Sequence, residues 1–293
     1  MLKQARWLDA HIPDLTGQSF LVTGSTSGVG LEAAKSLLYK GGSVDFAIRN
    51  PEKAEKIFQA LQSEIPNAKP RALLYDQGSP ESVLQFCQTL NPQKPYDAII
   101  LNAGIYYPRK GSQAEDGTSL TFETNAVGTY LLYMKLREKF PKARFILVAS
   151  IVNRSPKKGD YSSYLLHGGN RRAEEYSVSK RAIMNLFGYG LTHTDDALYM
   201  THPGVTGSAI FDGFPPLIRK LGHKFLYLVV HHPWKACLGE VYLAAVPCPR
   251  GSVAAPRGPF QISGYPHLVR PNKKKVFRDA EALHLALYRV YHV

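Results

Sequence analysis

Short apolar runs and amphipathic stretches alternate over most of the 293-residue chain. Apolar runs of strand length lie at 18–24, 43–48, 71–76, 96–104, 144–150 and 197–204. Stretches with helical spacing lie between or after them at 28–42, 51–65, 79–89, 120–139 and 176–191. Repeated strand–helix units of this kind bury a parallel sheet beneath helices. The sequence therefore predicts an α/β fold with a single doubly wound parallel sheet and helices on both faces.

Composition restricts the class of protein further. Hydrophobic residues make up 44% of the chain and charged residues 20%, which is typical of a globular protein. No apolar run reaches the length of about 18 residues that a membrane-spanning helix needs, and residues 1–18 lack the apolar core of a signal peptide. The three cysteines, Cys87, Cys237 and Cys248, are not spaced like metal ligands. We expect reduced thiols, a cytoplasmic location and no metal site.

The chain is strongly basic, with a formal net charge of +13. Its densest basic run, VRPNKKKVFR at 269–278, contains no aromatic interleaving of the kind that nucleic-acid-binding segments show. We interpret the charge as a solvated basic surface and expect no nucleic-acid partner.

A glycine-rich turn follows the first predicted strand. Its sequence, TGSTSGVG, covers residues 23–30 and opens a helix. Gly24 permits a tight turn, Gly28 allows the backbone to approach a phosphate, and Gly30 allows the helix to pack against the sheet. The N–H groups and the positive dipole end of that helix favour a pyrophosphate. We assign cofactor contacts in this turn to Gly24, Ser25, Thr26, Ser27, Gly28, Val29 and Gly30.

The end of the second strand distinguishes two dinucleotides. An NAD site usually carries an acidic residue there, which binds the adenosine ribose. This strand ends at Ile48 and Arg49, and Asp45 lies too early to serve. A planar guanidinium suits a 2′-phosphate through charge-assisted hydrogen bonds. The sequence therefore predicts NADP(H) bound by Arg49; the alternative is an Arg49 that points into solvent.

Six motifs follow one another in an order that resembles the short-chain dehydrogenase/reductase family. They are Gly24-x3-Gly28-x-Gly30, Asn102-Ala103-Gly104, Asn125, Ser150, Tyr176-x3-Lys180 and Pro203-Gly204. Within that family, the segments AIRNPEKAEK, LNAGI and HPGV are most similar to the retinol dehydrogenase and protochlorophyllide reductase branch. The resemblance implies one NAD(P)-binding Rossmann domain over 1–293, with a substrate lid at about 205–235 and a C-terminal extension at about 264–293.

Tyr176 and Lys180 lie one helical turn apart and so share a helix face. A tyrosine with an ordinary pKa of about 10 gives up its proton reluctantly, and a neighbouring ammonium favours the phenolate. We therefore expect Lys180 to lower the pKa of Tyr176 and to reach the nicotinamide ribose. Ser150, at the end of its strand, is the expected second donor to a carbonyl oxygen.

The resemblance implies roles for further residues. Asn125 would hold a water that relays protons through Lys180; its alternative is a bond to local backbone in a helix kink. Asp76 would contact the adenine edge, although a turn at this position is the competing interpretation. Other implied cofactor contacts are Asn102, Ala103, Gly104, Pro203, Gly204, Val205 and Thr206. Ser208 competes with Thr206 for the nicotinamide amide.

Ser150 and Tyr176 are 26 positions apart, about twice the commonest spacing in the family. The insertion leaves Ser155, Ser162 and Ser163 as alternative oxygen donors. We prefer Ser150 because it ends the strand FILVAS.

The segment 205–235 is rich in Phe, Leu, Ile and Val, which indicates a hydrophobic alcohol, aldehyde or ketone as substrate. A core-packing helix is an equal alternative for FLYLVV, and contact with a membrane surface is a less favoured one. Apolar residues on several sides of helices 120–139 and 176–191 permit a homodimer interface. The predicted function is an NADP(H)-dependent carbonyl/alcohol oxidoreductase; the alternative is a non-catalytic NADP(H)-binding sensor or scaffold on the same fold.

Overall fold

A computed structural model describes residues 2–106, 119–153, 156, 160–166, 172–206 and 231–292. Its eight strands form one sheet in the order β3-β2-β1-β4-β5-β6-β7-β8. The strands are Ser19–Thr23 (β1), Ser43–Ile48 (β2), Pro70–Leu74 (β3), Ala98–Leu101 (β4), Arg144–Val148 (β5), Ala197–Thr201 (β6), Val253–Pro256 (β7) and Pro266–Val269 (β8). All neighbours pair in parallel except β7 and β8, which are antiparallel. The predicted doubly wound sheet is confirmed, with an antiparallel edge strand that the sequence pattern did not indicate.

Helices connect these strands and agree closely with the predicted stretches. The first four helices along the chain are Ala5–His11 (α1), Gly28–Tyr39 (α2), Pro51–Glu64 (α3) and Pro80–Thr89 (α4). The stretch predicted at 120–139 is one continuous run with three parts, namely Leu120–Phe122 (α5), a π-helical turn Glu123–Val127, and Gly128–Lys139 (α6). The later helices are Ser162–Leu166 (α7), Arg172–His193 (α8), Pro233–Ala236 (α9), Leu238–Ala245 (α10), Lys273–Phe277 (α11) and Ala280–Tyr291 (α12).

Each central strand contributes side chains to two separate cores, one on each face of the sheet. In β1, Phe20 and Val22 are buried with α1, α2, α3 and α10, which we call the α2-side core. Leu21 is buried with α4, α6, α8 and α12, which we call the α8-side core. This alternation is the period-2 geometry of a strand covered on both faces. Because both faces of these strands are buried, their sequences are continuous apolar runs.

The C-terminal helices cover one side of α8. The amide of Asn185 donates to the backbone oxygen of Val276 at 3.1 Å, and the hydroxyl of Tyr291 donates to Glu123 Oε1 at 2.7 Å. The apolar residues that permitted a homodimer interface are thereby buried inside the chain itself; they are Val127, Tyr130, Leu131, Ile183, Leu186 and Phe187. Their apolar character is explained by packing within one chain.

The strand order reverses between β1 and β4, which lie side by side in the sheet. In an open α/β sheet the loops that leave the strands at such a reversal diverge, and a crevice opens at the carboxyl ends of the strands. The turn after β1 and the segment after β4 border this crevice. Within the described part of the chain, no helix is both long and apolar enough to cross a membrane.

Candidate active site

The turn after β1 has the features of an anion-binding turn. The helix α2 begins at Gly28, whose φ of +59° is a conformation that favours glycine. Ser25 is fully buried, and its hydroxyl has no hydrogen-bond partner among the described residues. A buried hydroxyl normally has a partner, so this one fits an arriving phosphate oxygen. Among the other predicted contacts, Thr26 and Val29 are half-buried and Ser27 is exposed.

Gly30 lies directly beneath the segment that follows β4. A Cβ atom at this position would be 2.7 Å from the backbone oxygen of Gly24 and would collide with the side-chain amide of Asn102. The predicted reason for a glycine here, close packing of α2 at the sheet, agrees with this geometry.

Asn102 and Ala103 hold the ends of β4 and β1 together. The amide of Asn102 donates to the backbone oxygen of Thr23 at 2.9 Å, and the N–H of Ala103 donates to Thr23 Oγ1 at 2.9 Å. Thr23, which the sequence reasoning did not single out, is therefore part of the frame of the crevice. The proposed contacts of Asn102 and Ala103 with the cofactor remain predictions.

Arg49 follows β2 and lies at the surface. Its guanidinium Nη1 is 3.6 Å from Asp76 Oδ2, and its side chain is 70% exposed. An exposed pair at this separation stabilises the fold little, so Arg49 stays free to meet an anion. Asp76 also accepts a hydrogen bond from the N–H of Gly78 at 2.9 Å, which is the turn geometry that competed with an adenine contact.

Gln77 is a buried residue of the site that the sequence reasoning missed. Its amide nitrogen donates to the backbone oxygens of Ala103 at 3.0 Å and Thr124 at 2.8 Å. Its Oε1 accepts from the hydroxyl of Tyr75 at 2.7 Å. Gln77 thus ties the segment after β4 to the π-helical turn. Its place after a strand was the only sequence signal for this role.

Tyr176 and Ser150 come together at the carboxyl end of β5. Tyr176 lies on α8, and its side chain interacts with that of Ser150, which opposes the rise in the phenol's pKa that burial causes. Tyr106 packs edge-on against Tyr176, with ring centroids 4.5 Å apart and planes at 86°. Tyr106, also missed by the sequence reasoning, gives this position an aromatic wall.

Two of the alternative serines lie at the start of α7. Ser163 Oγ donates to the backbone oxygen of Asp160 at 3.4 Å, and Ser162 begins α7 with its N–H bonded to Asp160 Oδ1 at 2.8 Å. Ser155 lies outside the described residues. Among the described candidate serines, Ser150 is therefore the one that interacts with the side chain of Tyr176.

Asn125 and Lys180 meet at Gly104. Asn125 lies in the π-helical turn, where its Oδ1 accepts from the N–H of Ile105 at 2.7 Å and its Nδ2 donates to Ser179 Oγ at 3.0 Å. A Cβ atom at Gly104 would be 3.0 Å from Asn125 Oδ1 and 3.4 Å from Lys180 Nζ. The π-helical turn and the bond with the N–H of Ile105 agree with the alternative role of Asn125, which is a bond to local backbone in a helix kink. The same geometry places Asn125 next to Lys180.

The expected lowering of the Tyr176 pKa by Lys180 is wrong for this structure. Burial raises the pKa of Tyr176, and the interaction with Ser150 opposes that rise. Lys180 is itself buried, which lowers its pKa to about 8. Its Nζ donates to the backbone oxygen of Val148 at 3.1 Å. The side-chain nitrogen of Lys180 is thus held at the end of β5 by a backbone oxygen.

Glu240 is a buried carboxylate on the opposite face of the sheet from α8. It lies on α10 in the α2-side core, is fully buried, and has no hydrogen-bond partner for either oxygen among the described residues. Burial raises its pKa to about 8, and the charge of Lys180 opposes this rise. The signal in the sequence was a lone acidic residue in the apolar helix LGEVYLAA.

The Pro203-Gly204 loop after β6 is fixed by His231. The imidazole Nδ1 is 3.0 Å from the backbone oxygen of Pro203, and Nε2 accepts from the N–H of Gly264. Because one nitrogen faces an acceptor and the other a donor, the ring is neutral in this arrangement. Burial lowers the pKa of His231, in agreement with that state. His231 therefore has a hydrogen-bond partner at each ring nitrogen.

The remaining predicted positions of this region are described in part. The N–H of Val205 donates to the backbone oxygen of Ile262 at 3.0 Å, and Thr206 forms an isolated bridge with His231. Ser208 and most of the expected lid, residues 207–230, lie outside the described part of the chain. The described ends of the expected lid are thus anchored at the carboxyl end of β6.

The fold, the glycine-rich turn and the order of the site residues along the chain are typical of dinucleotide-binding oxidoreductases. A sequence profile of the family described as short chain dehydrogenase matches residues 18–188, more than half of the chain. The chain belongs to this family.

Curated relatives are oxidoreductases of the same family. The chain is 29% identical to an uncharacterized oxidoreductase of Schizosaccharomyces pombe over 84% of its own length and 77% of the relative. It is 26% identical to a WW domain-containing oxidoreductase of Gallus gallus, of which it covers 52%. It is 33% identical over 142 residues to the chloroplastic protochlorophyllide reductase of Daucus carota, which agrees with the predicted similarity to that branch. The chain thus spans about half or less of some of these relatives.

Solved structures share the fold at low identity. A protein from Mycobacterium paratuberculosis superposes with a TM-score of 0.72 and 22% identity, over 97% of both chains. A blue fluorescent protein from a metagenomic library, solved in complex with NADPH, superposes with a TM-score of 0.57 and 21% identity over 80% of this chain and 92% of its own.

Proposed function

We propose that the chain is an NADP(H)-dependent reductase that acts on the carbonyl group of a hydrophobic substrate. The observation that carries this proposal is the meeting of Tyr176 with Ser150 at the carboxyl end of β5, beside the buried Lys180 and Asn125. A strand end next to a glycine-rich crevice is where sheets of this kind bind cofactor and substrate.

The residues of the crevice fit a phosphorylated dinucleotide. Ser25 and the first turn of α2 would hold the pyrophosphate, because a buried hydroxyl without a partner and the free N–H groups of a helix start both favour an anion. Arg49, whose side chain is exposed, would bind the 2′-phosphate. A bound NADPH supplies the hydride. The NADPH complex of the metagenomic protein supports this choice at the level of a shared fold.

Tyr176 is the proposed proton donor. Burial raises its pKa, so the phenol is protonated at neutral pH and can give its proton to the oxygen of a carbonyl group that is being reduced. Ser150, whose side chain interacts with that of Tyr176, is the second donor to the same oxygen. Two donors at one oxygen stabilise the negative charge that develops there.

Lys180 and Asn125 are proposed to position and resupply this donor. Lys180 Nζ is held at the end of β5 by the backbone oxygen of Val148. Its pKa of about 8 lets it hold or release a proton near neutral pH. Asn125 lies next to it across Gly104 and would bind a water between them.

The substrate class follows from the surroundings of Tyr176. The ring of Tyr106 packs edge-on against it, which favours a substrate with apolar groups next to the carbonyl. The apolar residues of 207–230 support the same class from sequence alone.

The experiment that tests the proposal is a screen of NADPH oxidation with retinoid, steroid, quinone and short aldehyde substrates, together with a direct measurement of NADPH binding. We expect turnover with at least one hydrophobic carbonyl compound, and loss of that turnover in Tyr176→Phe with NADPH binding retained. Tight NADPH binding without turnover on any substrate would instead favour a sensor. Full turnover in Tyr176→Phe would refute the mechanism.

A further inference from the structure

A cavity of about 790 Å³ lies between α1, the α9–α10 segment and the antiparallel β7–β8 edge. None of the described residues that we assign to the oxidoreductase site lines it. Its volume is within the range of small-molecule sites. The cavity is therefore a second place on the protein where a ligand fits.

The walls of this cavity are aromatic. Trp7 and Tyr265 present parallel rings, with centroids 6.3 Å apart and planes at 3°. His11 stacks on Trp7 with centroids 4.5 Å apart, and Trp234 lines the cavity from α9. Lys235 Nζ lies 4.4 Å from the ring centroid of Tyr265. His11 covers one face of Trp7 and Lys235 lies over Tyr265, so the wall offers a ligand the remaining aromatic surface of these rings together with Trp234.

The charges at the cavity have one sign. Lys3, Arg6 and Arg257 line it, and no described Asp or Glu does. Within the described part of the chain none of these three cations takes part in a salt bridge. Three lining cations, with no described carboxylate among the lining residues, create a positive potential that attracts an anion. The positive charge at the cavity therefore favours a negatively charged ligand.

Gln4 is a buried residue of the same wall with an unused acceptor. Its side chain is buried, and its Nε2 donates to Ser36 Oγ at 3.2 Å and Glu32 Oε2 at 3.2 Å. Its Oε1 has no hydrogen-bond partner among the described residues. A buried amide oxygen without a partner is costly, and a bound water would relieve it.

We propose that this cavity binds a small organic anion with a flat aromatic ring system. The ring system packs against Trp7, Tyr265 and Trp234, and the carboxylate or phosphate group meets Lys3, Arg6 and Arg257. An aromatic anion satisfies both features, whereas a neutral ring leaves the cations without a partner and a simple anion leaves the ring faces exposed. The site is independent of the oxidoreductase site, so its occupant is a ligand other than the substrate.

The test uses calorimetric titration of the NADPH-saturated protein with 2-naphthoate, 1-naphthyl phosphate and the neutral 2-naphthamide. We expect both anions to bind at least about tenfold more tightly than the amide, since each tenfold step reflects only about 1.4 kcal/mol. The ratio of the two anions shows whether carboxylate or phosphate is preferred. Both tryptophans of the chain line the cavity, so binding must also change the intrinsic tryptophan fluorescence.

Two double variants locate the binding. Lys3→Gln with Arg6→Gln removes two exposed cations at the cavity, and we expect it to weaken 2-naphthoate about tenfold. Lys53→Gln with Lys56→Gln removes two exposed cations from α3 and must leave binding unchanged. If 2-naphthoate does not bind, binds no better than 2-naphthamide, is displaced by NADPH, or is weakened equally by both double variants, the proposal is overturned. These results do not depend on turnover, so they are separate from the test of the reductase.

Discussion

The side-chain nitrogen of Lys180 donates to the backbone oxygen of Val148, 3.1 Å away, at the last residue of β5. This bond joins the middle of α8 to the strand that leads into Ser150. Because Tyr176 lies one turn before Lys180 on the same helix, the same bond fixes Tyr176 relative to Ser150. The proposed proton donor is thus positioned by a helix–strand contact.

Replacing Tyr176 by Phe is expected to remove the proton donor while keeping the ring that packs on Tyr106. We expect the kcat for carbonyl reduction to fall by about a hundredfold or more, with NADPH affinity within about threefold of wild type. Steady-state kinetics and NADPH titration measure the two effects. Tyr164→Phe, which removes the hydroxyl of a half-buried tyrosine on α7, is the matched control and should retain turnover.

Replacing Ser150 by Ala removes the second donor at the carbonyl oxygen. The expected loss in kcat is about two to three orders of magnitude, as for an oxyanion donor. Ser162→Ala, which changes a nearby serine of α7, should behave like wild type. Wild-type kinetics in Ser150→Ala together with a loss in Ser162→Ala would assign the donor to the insertion instead.

Replacing Arg49 by Gln tests the dinucleotide preference. The guanidinium is exposed and only weakly paired with Asp76, so its removal should cost the fold little. We expect the Kd for NADPH to rise about tenfold or more and the Kd for NADH to change little, because only NADPH carries the 2′-phosphate. Lys53→Gln on the exposed face of α3 is the charge-matched control. An equal change for both cofactors would place Arg49 outside the 2′-phosphate site.

Glu240 should make the stability of the protein depend on pH. Its pKa is raised to about 8 by burial, so between the ordinary carboxyl pKa and about 8 the folded state holds a proton that the unfolded state has released. The free energy of unfolding should therefore fall as pH rises through this window, by up to about 1.4 kcal/mol per pH unit.

Glu240→Gln removes that proton and should flatten the dependence. Urea unfolding at several values between about pH 5 and about pH 8 measures the slope. Glu55→Gln, at an exposed position of α3, should keep the wild-type slope. Identical slopes in Glu240→Gln and wild type would show that Glu240 titrates normally.

Gly30→Ala tests the close approach of α2 to the segment after β4. A Cβ atom would collide with the side chain of Asn102 and lie 2.7 Å from the oxygen of Gly24. We expect the thermal midpoint to fall and NADPH affinity to drop, because the anion-binding turn must shift to admit the methyl group. Gly17→Ala, which has open space around it but also a positive φ of +85°, controls for the general effect of replacing a glycine. A variant as stable as wild type would show that the turn is adaptable.

Local sequence patterns were enough to predict the parallel part of the sheet, most of its helices and the position of the glycine-rich turn. These follow from local periodicity, since an apolar run of a few residues buried on both sides becomes a strand wherever it lies along the chain. The helix α3, predicted at 51–65 and observed at Pro51–Glu64, shows how far such signals reach. The edge strand β8 was missed because its residues, PHLV, carry neither alternation nor a long apolar run.

Which groups face one another, and what their proton affinities are, depends on how the helices pack on the sheet. The sequence placed Lys180 one turn from Tyr176, yet its direction toward Val148 and the burial that raises the tyrosine pKa depend on how α8 packs on β5. Glu240 is about sixty residues from Lys180 along the chain and acts on it from the other face of the sheet. Such couplings depend on distance and desolvation in three dimensions, which spacing along a chain does not encode.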